Sequence, residues 1–513
     1  MVEPYSAHAL PLELRRSWRL GPAESGRSAP ASSRADARTW AREERWPLVA
    51  LLVLLALGGA LRLWLLGAWR PAILGFPDEQ AYLAVASSGG GPAADPIHAI
   101  GYPLFLELLH GLGANPSVTI LVQHLLGMAA AVLLFATVRR VGVSAWAALV
   151  APLVVLLAGT QIFLEHTVLS EPLFTFLAIA ALYCTMRADT GPWPWAALAG
   201  LLIAMATTVR PAGLPLVPLV VLWLLVRRPG VRARWVPGLA AAVTSLTMLL
   251  SYASWHDASA GGFGFTSNGS YNLYGRVATW ADCKKFTPPQ GTRVLCDPRP
   301  PDERPGAGVF LYNGAAPAVR AFGAPTVALV PGGADKLRAF ALAAIEHQPL
   351  TYIGTTIQKL LRTVDPGVGR SGEGNTPDNF LPYVFDPGRE GQAIGLVRAY
   401  YATPALLKGS TIGDLQAYES RTHVDGLFMA LLIALAIAAP FAVSRSGPRG
   451  RAVLLTLFAF DMLLTPLATV DYDYRYVIPA TGPLAAAAGV GAWGLWRAWC
   501  ARRPAVATPD RAR

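Results

Sequence analysis

Charge is scarce in this chain. Of its 513 residues, 15% are Asp, Glu, Lys or Arg and 53% are hydrophobic, whereas soluble globular domains carry roughly a quarter charged residues. That balance excludes an ordinary soluble domain and points to a membrane-embedded protein. Cysteine is limited to four residues, and no CxxC pair or His-rich tract offers a metal site. No apolar stretch of signal-peptide length stands at the start, and no short-period repeat is visible. The net charge of +11 comes mostly from arginine in short segments between apolar runs. Stacking residues are not interleaved with it, which argues against a nucleic-acid reader. The preference for Arg over Lys, with abundant Ala, suggests a high-GC bacterial genome.

What the chain has in quantity is apolar runs. Ten stand out, near residues 47–69, 117–138, 143–159, 171–186, 193–209, 213–226, 235–255, 426–443, 452–470 and 476–497, and several are long enough to cross a bilayer. With the N-terminus inside, arginines at 139, 140, 187, 227, 228, 232, 234, 445, 449, 451, 497, 502 and 503 fall on the cytoplasmic side. Asp78, Glu79, Asp95, Glu165, Asp471 and Asp473 then fall outside. The expectation is an all-α polytopic membrane protein with about 10 transmembrane helices, both termini cytoplasmic, in a bacterial cytoplasmic membrane. Residues 1–45 read as a disordered cytoplasmic tail and 46–255 as an N-terminal transmembrane module whose first span is an uncleaved anchor. Residues 256–425 read as a mixed extracytoplasmic segment, 426–498 as C-terminal transmembrane helices and 499–513 as a second cytoplasmic tail.

In the first outside segment, Asp78 fits a helix N-cap before residues 80–87, and a second helix is expected over 104–112. The larger outside segment begins with Gly, Asn and Tyr over 263–274, a composition of strands or irregular loops. Apolar positions at Leu337, Phe340, Ala341, Ala344 and Ile345, then at Ile353, Ile357, Leu360 and Leu361, follow a helical period. Those two helices read as amphipathic, packed on the bundle or lying in the interface. Cys283 and Cys296 share this segment with twelve residues between them, a spacing that permits a disulfide in an oxidising compartment.

Ionisable and aromatic residues gather at the outer ends of the spans. They are Asp78-Glu79 with Tyr82, His98 with Gly101-Tyr102-Pro103, Glu165-His166 and Ser170-Glu171-Pro172, Arg210-Pro211, and 471–476 with its two aspartates, three tyrosines and Arg475. Each has a plain structural explanation. Asp78 and Glu79 are compatible with a helix cap and dipole partner, the arginines and tyrosines with interfacial anchors, His98 with a solvated loop and Glu171 with a cap of the next span. Asp471 and Asp473 suit either a divalent ion or a pairing with Arg475. Within the spans, His124 and Asp461 read as interhelical hydrogen-bonding groups. Asn268-Gly269-Ser270 is a glycosylation sequon of a kind common by chance.

Taken in order, five motifs resemble the GT-C glycosyltransferases. They are the Asp78-Glu79 pair after the first span, Gly101-Tyr102-Pro103-Leu104-Phe105-Leu106, Ser170-Glu171-Pro172-Leu173-Phe174, Arg210-Pro211, and Arg475-Tyr476 with Pro479. The branch with protein O-mannosyltransferases and lipid A aminoarabinose transferases is the most similar. The resemblance covers about 47–275 and 426–497 and implies a GT-C-like bundle. It implies an inverting transfer of a hexosyl or pentosyl unit from a polyprenyl-phosphate carrier to a hydroxyl of a cell-envelope glycan, lipid or exported protein. Asp78 takes the catalytic acidic position, with Glu79 in support. Arg210, Arg475 and His98 become candidates for the donor phosphate, and Tyr82, Tyr102, Glu171 and Tyr474 for the cavity lining. No cofactor is expected for certain, with a divalent cation as the open possibility. The rival is a transporter or flippase for a lipid-linked sugar, which would place ionisable groups near the bilayer midplane.

Overall fold

The computed structural model describes residues 31–89, 91–95, 97–226, 235–323, 330, 332–365, 387–401, 407–424, 426–443, 446–471 and 473–502. Of the tails expected at 1–45 and 499–513, residues 1–30 and 503–513 lie outside the described residues, as do Tyr472, the side chain of Tyr474, and the arginines at 227, 228, 232, 234 and 445; residues 31–45 and 499–502 are helical. Met1–Pro47 and Leu48–Arg513 are separate units, and the account below concerns the second.

The chain is mostly helical. From α1 (Ala31–Ala68) it passes through the short strand β1 (Trp69–Arg70) into α2 (Pro77–Ser88) and α3 (Gly101–Gly111). Next come α4 (Pro116–Val141), α5 (Ala145–Ala148), α6 (Val150–Leu157), α7 (Gly159–Glu165), α8 (Glu171–Ala188), α9 (Pro194–Val209), α10 (Leu216–Val226) and α11 (Trp235–Ala260). The outer segment holds α12 (Asn268–Ala278), α13 (Ala307–Tyr312), α14 (Pro317–Phe322), α15 (Gly333–His347), α16 (Pro349–Arg362) and α17 (Pro387–Tyr401). Strand β2 (Leu407–Lys408), α18 (Ile412–Thr422), α19 (Gly426–Ala442), α20 (Ser446–Thr469) and α21 (Tyr474–Arg502) complete it.

Local chemistry sets the ends of these helices. At α4, Asn115 accepts the Val118 amide, Pro116 occupies the first turn and Gly142 closes the helix at φ 89°, the usual cap chemistry at both ends. Among the described residues, four helices are long and apolar enough to cross a bilayer: Arg45–Ala68, Pro116–Val141, Trp235–Ala260 and Pro448–Thr469. Two bent pairs, α6 with its neighbours α5 and α7, and α18 with α19, bring the number to six. The protein is an integral membrane protein. The ten spans expected from the sequence exceed this number, because apolar stretches such as α9 and α10 are shorter than a full crossing.

One expectation about the outer segment changes. Residues 268–278 form a helix rather than strands or loops, since Tyr271, Tyr274, Val277 and Ala278 recur at helical spacing and bury together. They join Phe286, Leu295, Phe310, Phe322, Leu337, Phe340, Ala341 and Ala344 in a second hydrophobic core, separate from that of the bundle. Cys283 and Cys296 are disulfide-bonded at its edge. The helices expected after 334 and 350 are present as α15 and α16. Arg276 donates to the Leu467 carbonyl at 3.1 Å and Tyr352 to the Ala468 carbonyl at 3.0 Å, which ties this core to the end of α20.

The bundle also buries more charge than His124 and Asp461. Arg62, within α1 and 2% exposed, forms a bidentate pair with Glu165 through Nε to Oε2 at 2.7 Å and Nη2 to Oε1 at 3.0 Å. Its remaining donors reach the carbonyls of Gly58 and Leu156 at 3.0 Å and of Val155 at 3.2 Å. His124 joins Glu165 and His166 at 3.1 and 3.0 Å. Gly127 leaves the room: a Cβ there would collide with Glu165 Oε1. Removing one member of such a pair strands the other charge in a low-dielectric interior, at a cost of about 3–5 kcal/mol. Arg62→Met should therefore lower thermal stability in detergent sharply, and adding Glu165→Gln should recover part of the loss. An unchanged melting temperature in the single variant would contradict this.

Candidate active site

The backbone between α1 and α2 is held from two sides before it delivers any side chain. Strand β1 pairs antiparallel with β2, Trp69 opposite Lys408 and Arg70 opposite Leu407. On the other side Ile73 bridges Thr167 and donates its amide to the His166 carbonyl at 2.9 Å. His166 Nε2 donates to the Trp69 carbonyl at 2.7 Å. The sequence then turns through Gly75, at φ 133°, into α2. Asp78 is not the N-cap expected above. Pro77 opens the helix because its missing N–H and preset φ suit the first turn, so Phe76 caps it and Asp78 is the second residue of that turn.

The adjacent carboxylates face different surroundings. Glu79 is fully buried and accepts the amides of Gly75 at 2.7 Å and Phe76 at 3.0 Å, so it clamps the turn that precedes α2. Asp78 is 22% exposed and its Oδ2 accepts Arg475 Nη2 at 2.6 Å. Its Oδ1 lies 3.8 Å from His98 Nε2. Arg475 leads on to Glu171 at 3.6 Å and Asp473 at 3.7 Å from Nε, and this buried Nε–H makes no hydrogen bond among the described residues. Arg210 pairs with Glu171 at 2.7 Å and donates to Ser170 Oγ at 3.0 Å. The Tyr82 hydroxyl meets the same Ser170 Oγ at 3.1 Å. Both guanidiniums stand over the Tyr476 ring, 5.2 and 4.9 Å from its centroid, in cation–π geometry.

The structure thus brings together Asp78, His98, Arg210, Arg475, Glu171 and Tyr82. It does not bring Glu79, which faces backbone, or Tyr102, which is fully buried, donates to Gln123 Oε1 at 2.6 Å and backs Tyr82 rather than lining open space. Tyr474 contributes only its place in the first turn of α21. Asp471 pairs with Lys359 at 2.7 Å, while Asp473 faces Arg475. Among the described residues no group of three or more His, Cys, Asp or Glu side chains is arranged to hold a metal ion. Sequence reasoning missed Asp95, whose Oδ2 meets His98 Nδ1 at 2.6 Å. The three-residue spacing in Asp95-Pro96-Ile97-His98 was its only signal.

The electrostatics follow from this packing. Burial pushes the Asp78 carboxyl up, but Arg475 and His98 outweigh it and hold the group far below the usual carboxylate range. His98 loses solvation, yet the neighbouring carboxylates of Asp78 and Asp95 raise it to about 10, so the ring is cationic at neutral pH. Burial raises Glu79 to about 8 despite its backbone amides, with the Asp78 charge adding to the rise. A carboxyl whose pKa is higher folded than unfolded stabilises fully below the unfolded value of 4.5 and loses that contribution as pH climbs through about 8. The wild type should accordingly lose thermal stability from pH 6 to pH 9. Glu79→Gln, which stays neutral and still accepts amides, should flatten that slope; an equal slope in both proteins would refute the assignment.

With the geometry in place, comparison with known proteins gives three findings. Residues 115–270 match the family model described as dolichyl-phosphate-mannose-protein mannosyltransferase. The GT-C resemblance stands. The matched stretch runs from the start of α4 to α12 and contains Ser170, Glu171 and Arg210. The chain is similar to solved structures of the Archaeoglobus fulgidus oligosaccharyltransferase. One, in complex with Zn and sulfate, is 12% identical with a TM-score of 0.42, over 88% of this chain and 51% of that one. Another, AglB in complex with an inhibitory peptide and a dolichol-phosphate, is 11% identical with a TM-score of 0.44, over 91% of this chain and 53% of that one. The chain spans about half the length of these archaeal proteins. No curated protein matches it.

Proposed function

We propose that the protein is an inverting glycosyltransferase. It moves a sugar from a polyprenyl-phosphate carrier to a hydroxyl on the extracytoplasmic face of a bacterial cytoplasmic membrane, with both termini cytoplasmic. The observation that carries this reading is the 2.6 Å pair between Asp78 and Arg475, with Arg210 beside it. Mannosyltransferase-family similarity over 115–270 supports the same class. A base next to guanidiniums is the apparatus a phosphate-leaving transfer needs, and it favours an enzyme over a transporter.

In the reaction, the acceptor oxygen attacks the anomeric carbon from the face opposite the carrier. The bond from that carbon to the phosphate oxygen breaks, its electron pair leaves with the phosphate, and Asp78 takes the hydroxyl proton. One displacement inverts the anomeric centre. Phosphate is already a good leaving group, so the protein's task is positioning and charge stabilisation rather than acid catalysis. Arg475 and Arg210 hold the phosphate oxygens, since a guanidinium stays charged and offers a planar fork of donors. The Nε–H of Arg475, without a hydrogen bond among the described residues, suits one of those oxygens. His98 adds a third cation. The acceptor is an exported protein, lipid or envelope glycan, with the family match favouring protein.

Arg475 cannot hold Asp78 and the donor phosphate with the same strength at once. Donor binding draws the guanidinium from the carboxylate, whose proton affinity then rises, so the base becomes effective when its substrate is in place. Purified protein with polyprenyl-phosphate sugar and acceptor tests the reading. Asp78→Asn should reduce transfer by 10² or more, the lower end of what general-base loss costs. The glycosidic product should have the opposite anomeric configuration to the donor. Intact transfer by the variant would remove Asp78 as base, and retained configuration would remove single displacement.

A further inference from the structure

Asp95 sits one loop away from the carboxylate and arginine cluster and belongs to none of the motifs that mark the site. It is nonetheless closely engaged. Its Oδ1 accepts the amides of Ile97 at 2.8 Å and His98 at 3.2 Å, and its Oδ2 meets His98 Nδ1 at 2.6 Å. The first two bonds form an Asx-type turn that sets where the His98 backbone lies. The third settles the ring. A carboxylate can only accept there, so Nδ1 carries a hydrogen and Nε2 is left facing Asp78 Oδ1 at 3.8 Å. A neutral ring of that tautomer would aim a lone pair at a second carboxylate. Only the doubly protonated ring is compatible with Asp95 on one nitrogen and Asp78 on the other.

Among the described residues three groups face the ring: Asp95 from its own loop, and Asp78 and Tyr82 from α2, the last edge-on at 5.4 Å. Arg475, from α21, reaches His98 only through Asp78. We propose that Asp95 is a positioning residue of the transfer site, fixing the His98 ring as a charged partner of Asp78 Oδ1. This rests on the glycosyltransferase reading. The Asp78 carboxylate thereby has a cation at each oxygen, close at Oδ2 and looser at Oδ1. The 3.8 Å gap is longer than a hydrogen bond, so Oδ1 is the oxygen open to an acceptor hydroxyl, and His98 guards it without occupying it.

The test combines a titration with a pH profile. In detergent-solubilised full-length protein with labelled histidine, the His98 ring signals are identified by their loss in His98→Gln. In wild type the ring should remain protonated through pH 9, in line with its raised pKa of about 10. In Asp95→Asn the ring should lose its proton at least one unit lower, a tenfold change in proton affinity. Transfer by Asp95→Asn should then fall away from wild type as pH rises from 6 to 8.5, rather than by one factor throughout. Asp95→Glu, which keeps the charge, should give intermediate behaviour and replaces the amide variant should that fail to fold. An unchanged His98 titration, or a loss of transfer equal at every pH, overturns the proposal. Because the titration needs no donor or acceptor, it decides the role of Asp95 even if the glycosyltransferase reading fails.

Discussion

A carboxylate taken out of water must be neutralised, paired or protonated, and the site obeys this rule group by group. Asp78 and Arg475, 397 residues apart, meet at 2.6 Å. Glu171, fully buried, is held by Arg210, and Asp95 is held by His98. Glu79, with amides but no cation, is instead pushed toward its neutral form. Two neighbouring carboxyls in one helical turn thus take opposite states, and the one that keeps its charge opens to solvent. In the resting protein the guanidiniums are engaged by protein carboxylates, so under the proposed function a phosphate would enter by exchange rather than by filling an empty site.

That exchange needs a rigid frame, and the frame runs back into the bundle. Arg62 and Glu165 anchor α1 to the bend that ends α7, and His124 carries the network to His166. His166 in turn holds the Trp69 and Ile73 backbone by which α1 leads into α2. The buried cluster therefore fixes the segment that presents Asp78, although none of its members belongs to the site. Buried ion pairs add little net stability; in this protein their value lies in fixing geometry.

Much of this was legible in the sequence, for identifiable reasons. Membrane class followed from charge scarcity and long apolar runs. Asp78, His98, Arg210, Glu171 and Arg475 stood out because each falls beside a proline- or glycine-marked end of an apolar run, where polar groups are exceptional. What stayed hidden depends on side-chain direction or partner choice. Glu79 was expected to support Asp78 at the site, but the Pro77 helix start turns it onto backbone amides. Tyr102 shares a motif with site residues, yet its hydroxyl is claimed by Gln123. Arg62 was invisible because one arginine inside an apolar run reveals nothing of a partner 103 residues away. The helix at 268–278 was obscured by Gly, Asn and Tyr, whose weak helical preference is overridden by tertiary burial.

The competition for Arg475 is the claim on which the functional account turns, and affinity for the carrier lipid measures it directly. Binding of a polyprenyl phosphate without sugar to purified wild type, Asp78→Asn and Arg475→Ala isolates the exchange from chemistry. The account predicts tighter binding to Asp78→Asn than to wild type, because the guanidinium no longer has to leave a carboxylate, and weaker binding to Arg475→Ala. Equal or weaker binding to Asp78→Asn would contradict it.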